Sequence, residues 1–117
     1  MLFLSGLPSV FCSSLYAALT SREYCVAIRP YRFASSGTGI GVSLAANKVR
    51  GIRCALCSDC FSAEMCRAHN DANMLALGGR VLGPELAKRI VDLFLDTEFL
   101  GGRHAQRVAM VMALEDK

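Results

Sequence analysis

The sequence contains no tryptophan, three prolines and two histidines in 117 residues, and thirteen basic against ten acidic side chains leave a net charge of only +3. Each shortage removes a class of explanation. With 53% hydrophobic and 20% charged residues, the chain is too apolar for a disordered polymer and is ordinary for a folded α/β domain. So small a net charge is no general nucleic-acid footprint. Arg80, Lys88, Arg89, Arg103 and Arg107 do gather in the last third, but acidic neighbours largely balance them, which indicates local anion sites. No run approaches the ~18 consecutive apolar residues of a membrane span, so the expectation is a soluble, cytoplasmic chain with no membrane or nucleic-acid partner. The stretch Met1–Leu19 is apolar and Ser-rich, yet it has no positive n-region and carries Pro8, which argues against a targeting peptide. One compact core is the ceiling at this length, and a partner subunit is expected to help cover it.

Neither internal repeats nor low-complexity tracts interrupt the chain, and the composition changes near Ser35. Ahead of it, Val10–Leu19 suits a short helix and Tyr24–Ile28 a strand, while Pro30 and the alternating Arg and aromatic residues disturb any pattern beyond. From Ser36 onward the punctuation is regular. The run Gly37-Thr38-Gly39-Ile40-Gly41 enters a helix over Val42–Lys48, and Gly51–Cys57 is a short apolar run suited to a buried parallel strand. Ser58-Asp59 then caps a helix over Phe61–Ala68, and Met74–Leu77 is a second buried strand. Gly83-Pro84 opens the clearest helix, with Leu86, Ile90, Leu93 and Phe94 on one face. Gly101-Gly102 closes it, and a last amphipathic helix from Arg103 to about Leu114 presents Val108, Val111 and Met112. The alternation implies a Rossmann-like α/β/α domain with a parallel sheet, incomplete at its N-terminus. The division is a divergent segment over 1–35 and the domain proper over 36–117.

Several constellations suit chemistry, and each has a plain structural alternative. The glycine loop can offer backbone N–H groups to an anion, or it can be a tight strand-to-helix turn. It lacks the third glycine of a dinucleotide fingerprint, where Val42 stands, and the Gly-Lys-Ser/Thr of a P-loop. Arg103 and Arg107, four apart on a helix, can both reach one phosphate, or can form a solvated, salt-bridged face. His69-Asn70-Asp71 is either a site at a helix end or a satisfied cap, and His104 reads as a surface residue. The run Cys54, Cys57, Cys60 with Cys66 and His69 following could hold zinc or an iron–sulfur cluster. Small core cysteines on a buried strand explain it as well, and no metal site is assigned. Cys12 and Cys25 are taken as reduced thiols.

Together, Gly37-Thr38-Gly39-Ile40-Gly41, Ala45-Ala46-Asn47-Lys48, Gly51-Ile52-Arg53, Phe61-Ser62-Ala63, His69-Asn70-Asp71-Ala72-Asn73, Gly78-Gly79-Arg80 and Gly101-Gly102-Arg103-His104-Ala105-Gln106-Arg107 resemble the ribose-5-phosphate isomerase type B family. That family also includes galactose-6-phosphate isomerase subunits. The motifs keep the family's order from Ser36 to Leu114, with the N-terminal part absent or replaced.

The resemblance implies a homodimer or dimer of dimers that interconverts ribose 5-phosphate and ribulose 5-phosphate through a cis-enediolate, in the pentose phosphate pathway and with no cofactor. Thr38 and the amides of Gly37, Gly39 and Gly41 would bind the oxyanion, and His69 would assist ring opening. Asn70 would bind substrate, Arg103 and Arg107 would clamp the phosphate, and Arg80 would be a further anion contact. The resemblance also implies a site built between subunits.

Two departures follow. Ser36 stands where much of the family has its cysteine base, and Met1–Ser35 contains no strand ending in the family's Asp-His pair. The alternative readings are a catalytically impaired sugar-phosphate-binding or dimerising remnant, and a small zinc or iron–sulfur protein using the cysteine run.

Overall fold

The computed structural model describes residues 2–3, 24–28 and 31–117, with side chains from residue 31 onward. The expected helix over Val10–Leu19, most of Met1–Leu19, and the Cys12 and Cys25 thiols lie outside what is described. Strand β5, Met74–Gly78, is the centre of the fold, because all five of its residues are buried and it pairs on both sides. Its neighbours are β3 (Tyr31–Ser36) and β4 (Cys54–Leu56), both parallel to it, with Phe33 opposite Leu75 and Ala34 opposite Ala76. Beyond β3 lie β2 (Tyr24–Ile28), which is antiparallel to it, and β1 (Leu2–Phe3), parallel to β2. The sheet order is β1-β2-β3-β5-β4.

The strand expected at Tyr24–Ile28 is present, and the disturbed segment after Pro30 proves to be a strand as well. Its pattern was obscured because Phe33, Ala34 and Ser35 are buried in succession between two covered faces, so no apolar alternation marks it. This strand runs through position 35, so the two sequence segments share one sheet. Conversely, the strand expected over Gly51–Cys57 shrinks to Cys54–Leu56 at the outer edge, half-buried or exposed. Asn47 explains the early end of the sheet. Its side-chain Nδ2 donates to Cys54 O at 2.9 Å and its Oδ1 accepts from Cys54 N at 2.8 Å, so one amide occupies the place of a neighbouring strand.

Three helices cover the sheet. Right-handed crossovers put α1 (Ile40–Ala46), between β3 and β4, on one face and α2 (Cys60–Asn70), between β4 and β5, on the other. Small Ala34 and Ala76 leave a flat bed for α1, whose one buried residue is Ser43. On the opposite face Phe33, Leu75 and Leu77 meet Ala63 of α2 and Ala87, Ile90, Val91 and Phe94 of α3 (Pro84–Asp96). Of the expected α3 face, Ile90 and Phe94 are buried and Leu93 packs against the core, while Leu86 stays 38% exposed and Ala87 and Val91 complete the face, the methyl of Ala87 admitting close approach. Phe94 sets its ring edge-on to Tyr31 and Phe33 at 5.4 and 5.7 Å. Helix α4 (Arg103–Met112) runs into a 3₁₀ turn over Ala113–Asp116 and lies along α2 with none of its residues fully buried. Among the described residues no helix is long and apolar enough to cross a membrane.

Candidate active site

The motif residues fall into two groups at opposite ends of β5. The first forms at the C-terminal ends of β3 and β5, where Ser36 and Gly78 stand in register. Here two loops lie backbone to backbone. Gly79 N donates to Ser36 O and Arg80 N to Gly37 O, each at 2.9 Å. A Cβ on Gly78 would sit 2.7 Å from Thr38 O, which is why glycine is required there. Gly39, with φ of 78°, turns the chain into α1, and a Cβ on it would lie 2.9 Å from the Leu77 carbonyl carbon. The Arg80 side chain crosses over Gly37, so Arg80, Gly37 and exposed Thr38 share one surface. Gly41 opens to free space. Ser36 Oγ accepts from Gly39 N at 3.0 Å, so its hydrogen-bond partner is a backbone amide and not a side-chain base.

The second group lies where α2 ends and α4 begins. Leu100 N donates to Ala68 O at 3.0 Å, fastening the Gly101-Gly102 turn to the last turn of α2. This contact brings His104 flat against His69, with ring centroids 4.2 Å apart and planes within 2°. Partial desolvation, then the charges of His69, Arg103 and Arg107, hold the His104 imidazole below its ordinary pKa. The sequence reading missed His104, for a lone histidine between two arginines carries no signal of a stacking partner. Asn70 and Arg107 line one groove of about 740 Å³ between the β4 edge and α4, walled by Ile52, Ala55, Val108 and Val111.

These two groups cannot meet within one chain. Helix α2 runs back against the strands, so His69 sits beside the start of β5 and the glycine loop beside its end, roughly 15 Å away at about 3.3 Å per residue.

The cysteine run is pulled apart. Cys54 is on the edge strand, buried Cys57 follows it, and Cys60 begins α2. Cys57 instead faces Cys66, and that interaction, then burial, raises the Cys57 thiol far above its ordinary range. The same interaction, then the Arg67 charge, lowers Cys66 against the effect of its own burial, and Cys66 Sγ donates to Ala63 O at 3.2 Å. Among the described residues no three His, Cys, Asp or Glu side chains converge to hold an ion.

A sequence model of the Ribose/Galactose Isomerase family matches residues 13–111. The chain belongs to that family. The match reaches further toward the N-terminus than the motifs, which begin at Ser36. Ribose-5-phosphate isomerase B of Escherichia coli is 54% identical over 81 residues, covering 69% of this chain and 54% of that protein. D-erythrulose-4-phosphate isomerase of Pectobacterium atrosepticum is 53% identical over 75 residues, covering 64% and 49%. The chain thus spans about half the length of these curated relatives. Among solved structures, ribose-5-phosphate isomerase B of Clostridium thermocellum superposes with a TM-score of 0.71 at 45% identity, over 92% of this chain and 69% of that one. The α/β fold and parallel β3-β5-β4 core agree with membership of that family.

Proposed function

We propose that the chain is an aldose–ketose isomerase of a sugar phosphate, converting ribose 5-phosphate to ribulose 5-phosphate, with residues 36–117 carrying the machinery and 1–35 a divergent segment before it. Two relatives with different sugars in their names match almost equally well, which leaves the class of substrate firmer than the sugar. The observation that carries the reading is the division of the family motifs into two clusters, each holding part of one chemistry. A second copy, packed with its His69 end against the glycine loop of the first, assembles a whole site. The working form is therefore a homodimer or a dimer of dimers. Its setting is the cytoplasm and pentose phosphate metabolism.

In this site Arg103 and Arg107 hold the phosphate, with Arg80 as a further contact, and Asn70 binds a sugar hydroxyl. His69 shuttles the proton between the ring oxygen and the anomeric hydroxyl as the sugar opens. A base then takes the proton from C2, the electron pair forms the C1–C2 double bond, and negative charge develops on O1. The Thr38 hydroxyl and the amides of Gly37 and Gly41 donate to that oxygen, joined by the Gly39 amide once it leaves Ser36 Oγ. The proton returns to C1 as the C2 hydroxyl gives up its own, leaving the ketone. Ser36 occupies the position of the base.

The bond from Gly39 N to Ser36 Oγ favours a second reading, a sugar-phosphate-binding homologue with weak chemistry, because an amide donor does nothing to remove the hydroxyl proton. Isomerisation of ribose 5-phosphate by the purified chain, with Arg103→Ala as control, separates the two. Turnover lost in the control supports the isomerase; binding of ribose 5-phosphate by a folded chain without turnover supports the second reading.

A further inference from the structure

The turn that presents His69 and Asn70 is gripped from two sides. Asp71, which follows them, is the one non-glycine residue with positive φ among the described residues, at φ 46° and ψ 43°. Two general preferences oppose an aspartate there. Glycine takes this left-handed geometry with less strain, and a carboxylate is unfavourable beside the negative end of a helix. Two arginines supply what offsets both. Arg67 Nη1 donates to Asp71 Oδ1 at 2.9 Å and to Ala72 O at 2.7 Å. Arg53 holds the same residue by its main chain, with Nε and Nη2 at 3.0 and 2.8 Å from Asp71 O, and its Nη2 lies 3.3 Å from Oδ2.

Each arginine reaches onward to another element. Arg67, only 5% exposed, donates from Nη2 to the Tyr31 hydroxyl of β3 at 2.8 Å, with its guanidinium 4.5 Å from that ring. Arg53 extends from the start of β4 to α4, its Nη1 being 3.3 Å from Met112 Sδ. Strands β3 and β4, the end of α2 and the last residue of α4 are thus joined through Asp71, by its carboxylate and its main-chain carbonyl. None of Arg53, Arg67 and Asp71 belongs to the groups assigned above to the substrate.

We infer that Asp71, clamped by Arg53 and Arg67, is a positioning residue that fixes the end of α2 against α4 and so keeps His69 stacked on His104 beside Arg103 and Arg107. The ligand in this inference, a sugar phosphate, rests on the isomerase reading; the stack does not.

The test uses the full chain and its only two histidines, whose imidazole proton resonances report the stack through mutual ring currents. Asp71→Gly keeps the backbone geometry and removes the carboxylate, and Arg53→Met keeps the stem and removes the fork. In each variant the ring-current displacement of both imidazoles is expected to collapse and the dissociation constant for ribose 5-phosphate to rise ~10-fold or more, while the protein still melts cooperatively. Retention of the displaced resonances in Asp71→Asn, whose Oδ1 can still accept from Arg67 while its main-chain carbonyl accepts from Arg53, would support the positioning role further. Unchanged resonances and affinity in a folded Asp71→Gly or Arg53→Met chain would reduce Asp71 to a helix cap and overturn the inference. Should Asp71→Gly fail to fold, Arg53→Met decides alone. If the parent chain leaves ribose 5-phosphate unbound, the isomerase reading fails, and the resonances still decide the clamp.

Discussion

Gly78 marks the place where two backbones meet with no room for a methyl group. Its Cβ would lie 2.7 Å from Thr38 O and 2.9 Å from the Thr38 carbonyl carbon, in a loop held by the hydrogen bonds from Gly79 N to Ser36 O and from Arg80 N to Gly37 O. Gly78→Ala should therefore destabilise the fold by about 2 kcal/mol and displace Thr38, as read by urea unfolding and by the KM for the sugar phosphate. Ser36 yields the complementary prediction. Ser36→Cys puts a thiol where the loop amides can favour its ionised form, and turnover should rise at least ~10-fold, increasing with pH toward the thiol range. Failure of that variant to gain activity would move the defect away from the base. At this scale the sequence sets the glycines, the threonine and the paired arginines in family order, which is what nominates them. It sets Arg53 in the Gly51-Ile52-Arg53 motif but is silent about its partner 18 residues away, and Arg67 draws no notice although Asp71 lies four residues on, because both arginines also bind backbone oxygens that no spacing rule encodes.

Among elements, β5 and α3 were legible because composition alone sets them. An uninterrupted Met-Leu-Ala-Leu-Gly run belongs between two neighbours, and a Pro-opened helix with a strong apolar face must lie on a sheet. Phe94, fully buried against Tyr31 and Phe33, should cost about 3–5 kcal/mol when cut to alanine, measured by denaturant unfolding. Strand β3 was illegible for the opposite reason, since its buried Ser35 and exposed Arg32 give a central strand no apolar signature. The α2–α4 junction carries a pH prediction. His104 has a pKa lowered from 6.5, so the unfolded chain binds its proton more readily than the folded one. Its stabilising contribution is present above ~6.5 and is lost as the pH falls through the lowered folded-state value. The melting temperature should fall between pH 7.5 and 5.5, less so in His104→Ala, and inorganic phosphate should restore part of it.

At the scale of the whole molecule, the family resemblance already implies a site built between subunits, but order along a chain does not say which end of a sheet a residue occupies. The direction of α2 decides that. If the site is completed between copies, Thr38→Ala and Arg103→Ala chains, each inactive alone, should regain activity when unfolded and refolded as a mixture. Random pairing restores about one quarter of the sites, so the recovered turnover should approach that share of the parent's. Recovery near zero would refute the shared site. The exposed Leu100, Met110, Val111 and Leu114 offer the apolar surface such pairing needs. A last consequence concerns time. At Cys54 the sheet's outer edge is closed by the Asn47 amide, an exposed group open to water. Hydrolysis of that amide would turn its donor nitrogen into a second oxygen facing the Cys54 carbonyl, so a preparation ageing in the warm would unfasten this border first, with every core residue chemically intact.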